Sequence, residues 1–194
     1  MKYNISLCCI IKNESYLEEF MTYYILLGVE HFYIYDNDSD IEIITSLKNK
    51  CTIIPYPGEL KQMEAYHNCL NICKTETEWL LIIDVNEYVV PNKHVSLTSF
   101  LSDYDDYNAI GINCVMFNSN YQGRIQSEFI IQNEHIKTVC RPGTVIKMNE
   151  PHSVVLSEPS KFIDPHKRII SGPFNSKRTI DIIQINHYSQ DISL

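Results

Sequence analysis

The sequence predicts a single α/β domain in which a mixed sheet, mostly parallel in the N-terminal half, is flanked by helices. In residues 1–90, short apolar runs alternate with segments of helical period, as is typical of βαβ units. After residue 91, strand-like runs follow one another with little helical period, which indicates a mixed or antiparallel extension of the sheet. A chain of 194 residues suits one domain and has no room for a second large one.

The elements of the first half follow from the spacing of apolar residues. The continuous apolar run at residues 5–11 is too short for a lone helix and predicts a strand covered on both faces. Apolar residues at three- and four-residue steps then predict a helix over residues 16–27, with Ser15 as its N-cap and Gly28 after its end. The other elements predicted here are strands at residues 31–35, 51–56 and 79–83 and helices at residues 41–47 and 63–73.

The second half is predicted to be rich in strands. Strand-like runs cover residues 109–117, 137–146, 154–156 and 180–185. Residues 157–176 have no clear period and predict a long loop, which we expect to act as a mobile lid that excludes water from the substrates. No repeat or linker divides the chain, so residues 1–194 form one domain with halves at residues 1–90 and 91–194.

Composition excludes several classes of protein. With 24 acidic and 16 basic residues the net charge is -8, which would repel a phosphate backbone and argues against nucleic acid as a partner. No apolar run reaches the ~20 residues that a transmembrane helix needs, and no secretory signal is recognisable. The 7 cysteines lack C-x-x-C spacing and suggest small buried thiols in a reducing compartment, so we expect a cytoplasmic protein.

Polar residues follow three of the predicted strands at the point where each strand ends. They are Lys12, Asn13 and Glu14 after the first strand, Asp36, Asn37 and Asp38 after the second, and Asp84, Asn86 and Glu87 after the fourth. Because ligands of open parallel sheets bind at the carboxyl ends of the strands, we expect these side chains to face one crevice. Neither G-x-G-x-x-G nor G-x-x-x-x-G-K-[ST] occurs, so a dinucleotide Rossmann site or a P-loop has no support.

Asp84 and Asn86 are the most specific candidates for metal ligands. Side chains two residues apart at the end of a strand point the same way, because strand side chains alternate between the faces. Carboxylate and amide oxygens suit Mg²⁺ or Mn²⁺ and leave coordination positions for phosphates and water. The alternative is that both side chains only end the strand and hydrogen-bond within a turn.

Five sequence blocks occur in one order along nearly the whole chain. They are Ile11-Lys12-Asn13-Glu14, Tyr35-Asp36-Asn37-Asp38, Gln62 with the helix that it begins, Ile83-Asp84-Val85-Asn86-Glu87-Tyr88, and Ile185-Asn186-His187-Tyr188. Together they resemble glycosyltransferase-2-like proteins related to glycosyltransferase family 92. The fourth block resembles the D-x-D-E-[FY] strand end of those proteins, with Asn86 in place of the second aspartate.

The resemblance implies a GT-A fold, a nucleotide-diphosphate sugar donor such as a UDP-sugar, and a divalent metal, Mn²⁺ or Mg²⁺. Asp84, Asn86 and His187 correspond to the metal ligands, and Asp84 and Val85 to residues that contact the nucleotide. Asn86 is expected to lower metal affinity, because an amide is a weaker ligand than a carboxylate, unless Glu87 helps through a water. The implied reaction transfers the sugar, with inversion, to a hydroxyl of a glycan, glycoconjugate or protein acceptor.

The other positions that match the resembling proteins each allow two interpretations. Asp36 and Asn37 correspond to residues that hold uracil or ribose, and the alternative is an ordinary Asp/Asn-rich turn. Asn13 and Glu14 either reach the base or ribose or cap the first helix. Gln62 either approaches the pyrophosphate from the start of its helix or is a solvated surface residue.

Candidates for the catalytic base and for a basic group on the diphosphate lie in the second half. For inversion a carboxylate or imidazole must take the acceptor proton, and Glu128, His135 and His152 are the candidates, with Glu128 and His152 preferred. Lys137 and Arg141 match a basic block of the resembling proteins. They either neutralise the diphosphate or belong to a solvated strand edge.

Three other classes of function are compatible with parts of the pattern. A catalytically silent nucleotide- or carbohydrate-binding module would keep the fold, and Asn86 favours it. A nucleotidyltransferase would need a Gly-rich basic loop after the first strand, which is absent. A receiver domain also uses acidic strand ends around Mg²⁺, but the strand-rich second half argues against it.

Overall fold

One large mixed sheet joins both halves of the chain in a computed structural model, which describes residues 1–40, 47–118 and 129–189. The strands are β1 (Tyr3–Ile11), β2 (His31–Asp36), β3 (Cys51–Pro55), β4 (Thr77–Ile82), β5 (Glu87–Pro91), β6 (Ala109–Asn118), β7 (Phe129–Cys140), β8 (Val145–Glu150), β9 (Ser153–Leu156), β10 (Phe162–Ile163) and β11 (Ile183–Ser189). The helices are α1 (Leu17–Leu26), α2 (Gln62–Cys73) and the short α3 (Leu97–Leu101). These elements confirm the predicted α/β class.

Strand order brings the carboxyl ends of six strands to one edge of the sheet. The order is β3-β2-β1-β4-β7-β6-β11-β5, with β10 paired to β6 and a separate β8-β9 hairpin. β1 to β4 run parallel, β7 is antiparallel to β4 and β6, and β11 is parallel to β6. The chain moves outward from β1 to β3 and then returns to place β4 on the other side of β1. This reversal is a topological switch point, where ligands of such sheets bind.

The core has two layers, because both faces of the sheet are covered. Alternate residues of β1 enter different layers: Leu7 and Cys9 pack with α1, whereas Cys8 packs with α2. The continuous apolar run of β1 is therefore buried except at Ile10, which is partly buried, and both of its faces are covered as the sequence predicts. All 7 cysteines are free thiols, and all except Cys51 are buried.

Several predicted boundaries are wrong. α1 begins at Leu17 with Tyr16 at the N-cap position and no side-chain cap, so Ser15 is not the cap. Residues 137–146 are not one strand, since β7 ends at Cys140 and a 3-10 turn at Pro142–Thr144 precedes β8. The proline supplies no N–H to a ladder and ends the pairing. The helix predicted at residues 41–47 lies, except for its last residue, outside the described residues.

The segment predicted to be a lid, residues 157–176, is tied to the sheet. β10 pairs with the start of β6, and Asp164, which follows it, is fully buried. The Asp164 carboxylate accepts backbone N–H groups from His166 and Arg168 and lies 2.7 Å from the Arg168 Nε donor. Asn175 donates to Asn113 of β6 at 3.1 Å. This packing does not fit a mobile lid.

None of the helices in the described ranges is long and apolar enough to cross a membrane.

We expect Asp164→Ala to lower the free energy of unfolding by about 3 kcal/mol, because it removes the buried acceptor of an ion pair and of two backbone donors. Urea unfolding measures this change. Glu158→Ala, at an exposed carboxylate of the same segment, is the control and should stay within about 0.5 kcal/mol of the parent. Equal stabilities of the two variants would contradict the packing described here.

Candidate active site

The carboxyl edge of β4 opens the candidate site. β4 pairs with β7 through Leu80 and Leu81 and ends at Ile82. A turn follows, in which the Glu87 N–H donates to the Asp84 carbonyl oxygen at 3.0 Å, and β5 then runs back along β11. The turn lies beside the switch point, at the edge where such a sheet binds its ligands.

Asp84 is held by donors from both sides of the sheet. Its Oδ1 accepts from Gln62 Nε2 at 3.1 Å and from the Tyr66 hydroxyl at 3.0 Å, both on α2. Its Oδ2 accepts from Lys137 Nζ of β7 at 2.7 Å. The Asp84 side chain keeps 32% of its surface exposed, whereas that of Lys137 keeps 1%. Asp84 is therefore a fixed carboxylate with one side open to the crevice.

Charge keeps Asp84 and Lys137 ionised. Burial raises the pKa of Asp84, but the Lys137 ammonium and hydrogen bonds from Lys137 and Tyr66 outweigh burial and hold that pKa below its usual value. Burial lowers the pKa of Lys137, but the carboxylates of Glu87 and Asp84 outweigh burial and raise it.

Glu87 links the β4-β5 turn to β7 and β11. Its side chain is 1% exposed, and its Oε2 accepts from the Asp84 backbone N–H at 3.0 Å. The same oxygen lies 3.3 Å from Lys137 Nζ, and Oε1 lies 3.2 Å from His187 Nδ1. Glu87 is too deeply buried to assist a metal through a water, contrary to the possibility raised by its place in the motif.

Asn86 and His187 lie side by side next to Glu87. The Asn86 amide nitrogen donates to His187 Nε2 at 3.2 Å and to the Tyr188 carbonyl oxygen at 3.0 Å. A donor at Nε2 and the Glu87 carboxylate at Nδ1 both favour the tautomer with its proton on Nδ1 and a lone pair on Nε2. This is the arrangement in which a carboxylate orients a metal-binding histidine.

The donor set fits a divalent cation only with help from outside the protein. No three His, Cys, Asp or Glu side chains among the described residues could by themselves hold a metal. Asp84, the Asn86 carbonyl oxygen and His187 Nε2 could supply three ligands, provided that the hydrogen bond between Asn86 and His187 opens. Mg²⁺ and Mn²⁺ commonly complete such partial sets with water and substrate phosphates.

The loops after β1 and β2 are joined to each other. Asn13 adopts a left-handed backbone conformation with φ 57, its N–H donates to Ser39 Oγ at 2.9 Å, and its side-chain oxygen accepts from the Asp40 N–H at 2.7 Å. Asp36 accepts from the Ser39 N–H at 3.1 Å. Asn13 and Asp36 thus shape the loops, in agreement with the turn interpretation of Asp36, and Asn13 does not cap α1.

Three other residues were predicted to contact the nucleotide, and the structure places them in different surroundings. Asn37 follows β2 and lies beside the end of β1, where its N–H donates to the Ile11 carbonyl oxygen at 2.9 Å. Glu14 is partly buried, and burial raises its pKa. Val85 packs on the core layer next to α1.

The candidates for the catalytic base differ in their environments. His152 is half-buried beside β7, and its Nδ1 donates to the Ile136 carbonyl oxygen at 3.2 Å, so its Nε2 carries the lone pair. Burial, and next the Lys137 charge, lower the pKa of His152, which keeps it neutral near pH 7. His135 packs its ring against those of His152 and Phe174. Glu128 lies outside the described residues.

The two basic candidates, Lys137 and Arg141, do not lie where the sequence predicted. Lys137 lies under the two carboxylates and is not a solvated edge residue or an exposed partner for phosphate. Arg141 stacks on Trp79, with its guanidinium carbon 4.2 Å from the ring centroid, and pairs with Glu78. Because β7 runs antiparallel to β4, Arg141 follows its far end, away from the crevice.

Comparison with known proteins identifies the family. The sequence profile described as glycosyltransferase family 92 matches residues 4–191. The chain belongs to glycosyltransferase family 92. A family 92 protein of Arabidopsis thaliana is 25% identical over 187 residues, which cover 81% of this chain and 32% of that protein. A family 92 protein of Oryza sativa subsp. japonica is 22% identical over 182 residues, which cover 84% of this chain and 31% of that protein.

This family 92 chain spans about a third of the length of those relatives. Among solved structures, the 4-diphosphocytidyl-2C-methyl-D-erythritol synthase of Anaerococcus prevotii DSM 20548 matches with a TM-score of 0.43 and 10% identity, over 73% of this chain and 71% of that one.

Two residues of the candidate site, Tyr66 and Glu87, make contacts that the sequence analysis did not predict. Tyr66 lies four residues after Gln62, on the same face of α2, and donates to Asp84 with it. That spacing is the signal that could have found Tyr66. Glu87 was noted at a strand end, but its contact with His187 joins residues far apart in sequence, and no local pattern reveals it.

Asp84→Asn is expected to flatten the acid side of the stability profile. Because folding lowers the pKa of Asp84, its charge stabilises the fold above the unfolded pKa of about 3.9, and this stabilisation is lost as pH falls through the lowered pKa. Urea unfolding between pH 2 and pH 6 should therefore show a smaller acid loss in the variant than in the parent. Glu59→Gln, at an exposed carboxylate, is the control, and a parent-like profile for Asp84→Asn would contradict the geometry.

Proposed function

We propose that this family 92 chain is a metal-dependent glycosyltransferase with a GT-A fold that uses a nucleotide-diphosphate sugar, such as a UDP-sugar, as its donor. The observation that carries the proposal is that Asp84 and His187 both contact Glu87, and that Asn86 bonds to His187, at the carboxyl edge of the sheet. The names of the matched relatives support the class of reaction. The acceptor in this proposal is a hydroxyl of a glycan, glycoconjugate or protein.

The donor's nucleoside would occupy the edge formed by β1 and β2. Asn37 lies there beside the end of β1, and Glu14 presents a partly buried carboxyl group. Carboxyl and amide groups can hydrogen-bond the ribose hydroxyls and the base. Gln62 begins α2 next to Asp84, so the diphosphate would lie near the start of that helix, where free N–H groups favour anions.

A cation at Asp84, Asn86 and His187 would offset the negative charge that develops on the leaving diphosphate. The protein's part is to hold these three ligands. Asp84 is fixed by three donors, and His187 is oriented by Glu87. The ammonium of Lys137 leaves the Asp84, Glu87 and Lys137 group with a net charge of about -1, which suits an ion that arrives with the donor's phosphates.

His152 is the proposed base for an inverting transfer. The acceptor oxygen forms a bond to the anomeric carbon while the bond from that carbon to the diphosphate oxygen breaks. The acceptor proton passes to His152 Nε2, which carries a lone pair because Nδ1 donates to the Ile136 carbonyl oxygen. The lowered pKa of His152 keeps this nitrogen free to accept a proton at neutral pH.

A catalytically silent nucleotide- or carbohydrate-binding module is the second candidate. Asn86 favours it, because its amide replaces a carboxylate at the expected metal position. Such a module would bind a nucleotide without turning over a sugar donor.

We expect nucleoside diphosphates to stabilise the protein only in the presence of Mn²⁺ or Mg²⁺, because the protein alone supplies too few ligands. At 100-fold over the dissociation constant the gain is about 2.7 kcal/mol, measured as a shift in thermal unfolding. Asn86→Asp restores a carboxylate and should lower the half-saturating Mn²⁺ concentration about tenfold. Binding that is equal with and without Mn²⁺ in the parent and in Asn86→Asp would remove the cation from the proposal.

His152→Gln should reduce kcat for donor turnover roughly 10²- to 10⁴-fold, the usual contribution of a general base, with little change in nucleotide binding. Release of nucleoside diphosphate from a panel of sugar nucleotides, with and without simple glycoside acceptors, measures kcat. His67→Gln, at a histidine on α2 that bonds to β8, is the matched control. Binding without turnover in the parent protein would favour the silent module.

A further inference from the structure

Glu87 and Lys137 form a buried ion pair behind the candidate ligands. Both side chains are 1% exposed, and the Lys137 ammonium lies 3.3 Å from Glu87 and 2.7 Å from Asp84. Neither side chain can reach a ligand in the crevice from this depth. Any effect on the reaction must pass through the groups that they touch.

Stability does not by itself explain such a pair. Removing two charges from water costs about as much free energy as their attraction returns, and apolar residues of similar size often serve the fold equally well. What distinguishes this pair is its set of neighbours. Lys137 donates to the Asp84 carboxylate, while Glu87 accepts from the Asp84 backbone N–H and lies against His187 Nδ1. Two of the three candidate metal ligands are thus in direct contact with the pair.

We propose that Glu87 and Lys137 are positioning residues that set Asp84 and His187 for cation and diphosphate binding. Lys137 fixes the rotation of the Asp84 carboxylate, so that its open side faces the crevice. Glu87 stabilises the proton on His187 Nδ1 and thereby directs the Nε2 lone pair toward Asn86. The inference rests on the proposed function for the identity of the ligands, and it assigns the two residues a role that acts only through Asp84 and His187.

The pair offers a test in which net charge stays constant. In the parent, Asp84, Glu87 and Lys137 together carry a charge of about -1. The double variant Glu87→Met/Lys137→Met also leaves a charge of about -1, on Asp84 alone. A change in ligand binding by this variant therefore reports lost positioning and not altered electrostatic attraction.

The first measurement is stability. Lys137→Met alone leaves Glu87 buried without its cation and should lower the urea midpoint strongly. The double variant should recover most of that loss, because it removes both charges. A double variant that folds as well as the parent is then compared with it in binding.

The second measurement is Mn²⁺-dependent binding of UDP by titration calorimetry. We expect the folded double variant to bind at least tenfold more weakly than the parent. Arg168→Met/Asp164→Asn removes a different ion pair, at the far end of β6, and should leave binding unchanged. Parent-like affinity in a folded Glu87→Met/Lys137→Met protein would overturn the proposal.

A third measurement needs no variant and no nucleotide. ¹⁵N NMR of the parent imidazoles should show His187 with its proton on Nδ1, and a dominant Nε2–H tautomer would overturn the role of Glu87. If the parent binds no nucleotide diphosphate with any divalent cation, the proposed function fails. The positioning of His187 is then decided by this spectrum alone, so the two failures are distinguishable.

Discussion

The Lys137 ammonium is the charge on which the geometry of the crevice depends. The carboxylates of Asp84 and Glu87 both lie within 3.3 Å of Lys137 Nζ, after the end of β4. Two neighbouring negative charges in a partly buried place repel each other, and a cation between them offsets that repulsion. Lys137 supplies that cation from β7, a strand that enters the sheet from the opposite direction. One side chain therefore joins the β4-β5 turn to the strand-rich half of the molecule, and through Glu87 it also joins His187 of β11.

The first half of the fold could be predicted from the sequence because each element there carries its own local signal. β1 is a continuous apolar run, and α2 repeats apolar residues at helical spacing up to Cys73. The second half was less predictable, since its strands are defined by long-range pairing. The apolar residues on both sides of Pro142 belong to different sheets, and the short Pro142-Gly143 pair marks the break. The lid prediction was wrong for a similar reason: an irregular segment can be held by buried polar bonds that no period reveals.

The sequence predicted which strand ends form the candidate site, but it did not predict the hydrogen bonds and ion pairs between their side chains. Asp84, Asn86 and His187 carry signals in their own sequence blocks, and the sheet brings those blocks to one edge. Asn13 and Arg141 also stood in suggestive positions, yet Asn13 holds two loops together and Arg141 stacks on Trp79. The difference lies in side-chain direction, which depends on turns and on strand polarity. Lys137 is buried beside Asp84 and Glu87, which lie about 50 residues before it in the sequence, and residue type alone would place it at the surface.

The position of β11 in the sheet also has a consequence for folding during synthesis on the ribosome. In the described sheet, β5 has β11 as its strand neighbour, and β11 lies between β5 and β6 although it follows both of them in the sequence. Residues 92–182 are synthesised after β5 and before β11. Until then, the edge of β5 that bonds to β11 lacks this partner. His187 arrives on that same strand. The site therefore cannot be complete before residue 187 has been synthesised, and a strand edge that lacks its partner is a feature that favours aggregation and chaperone binding.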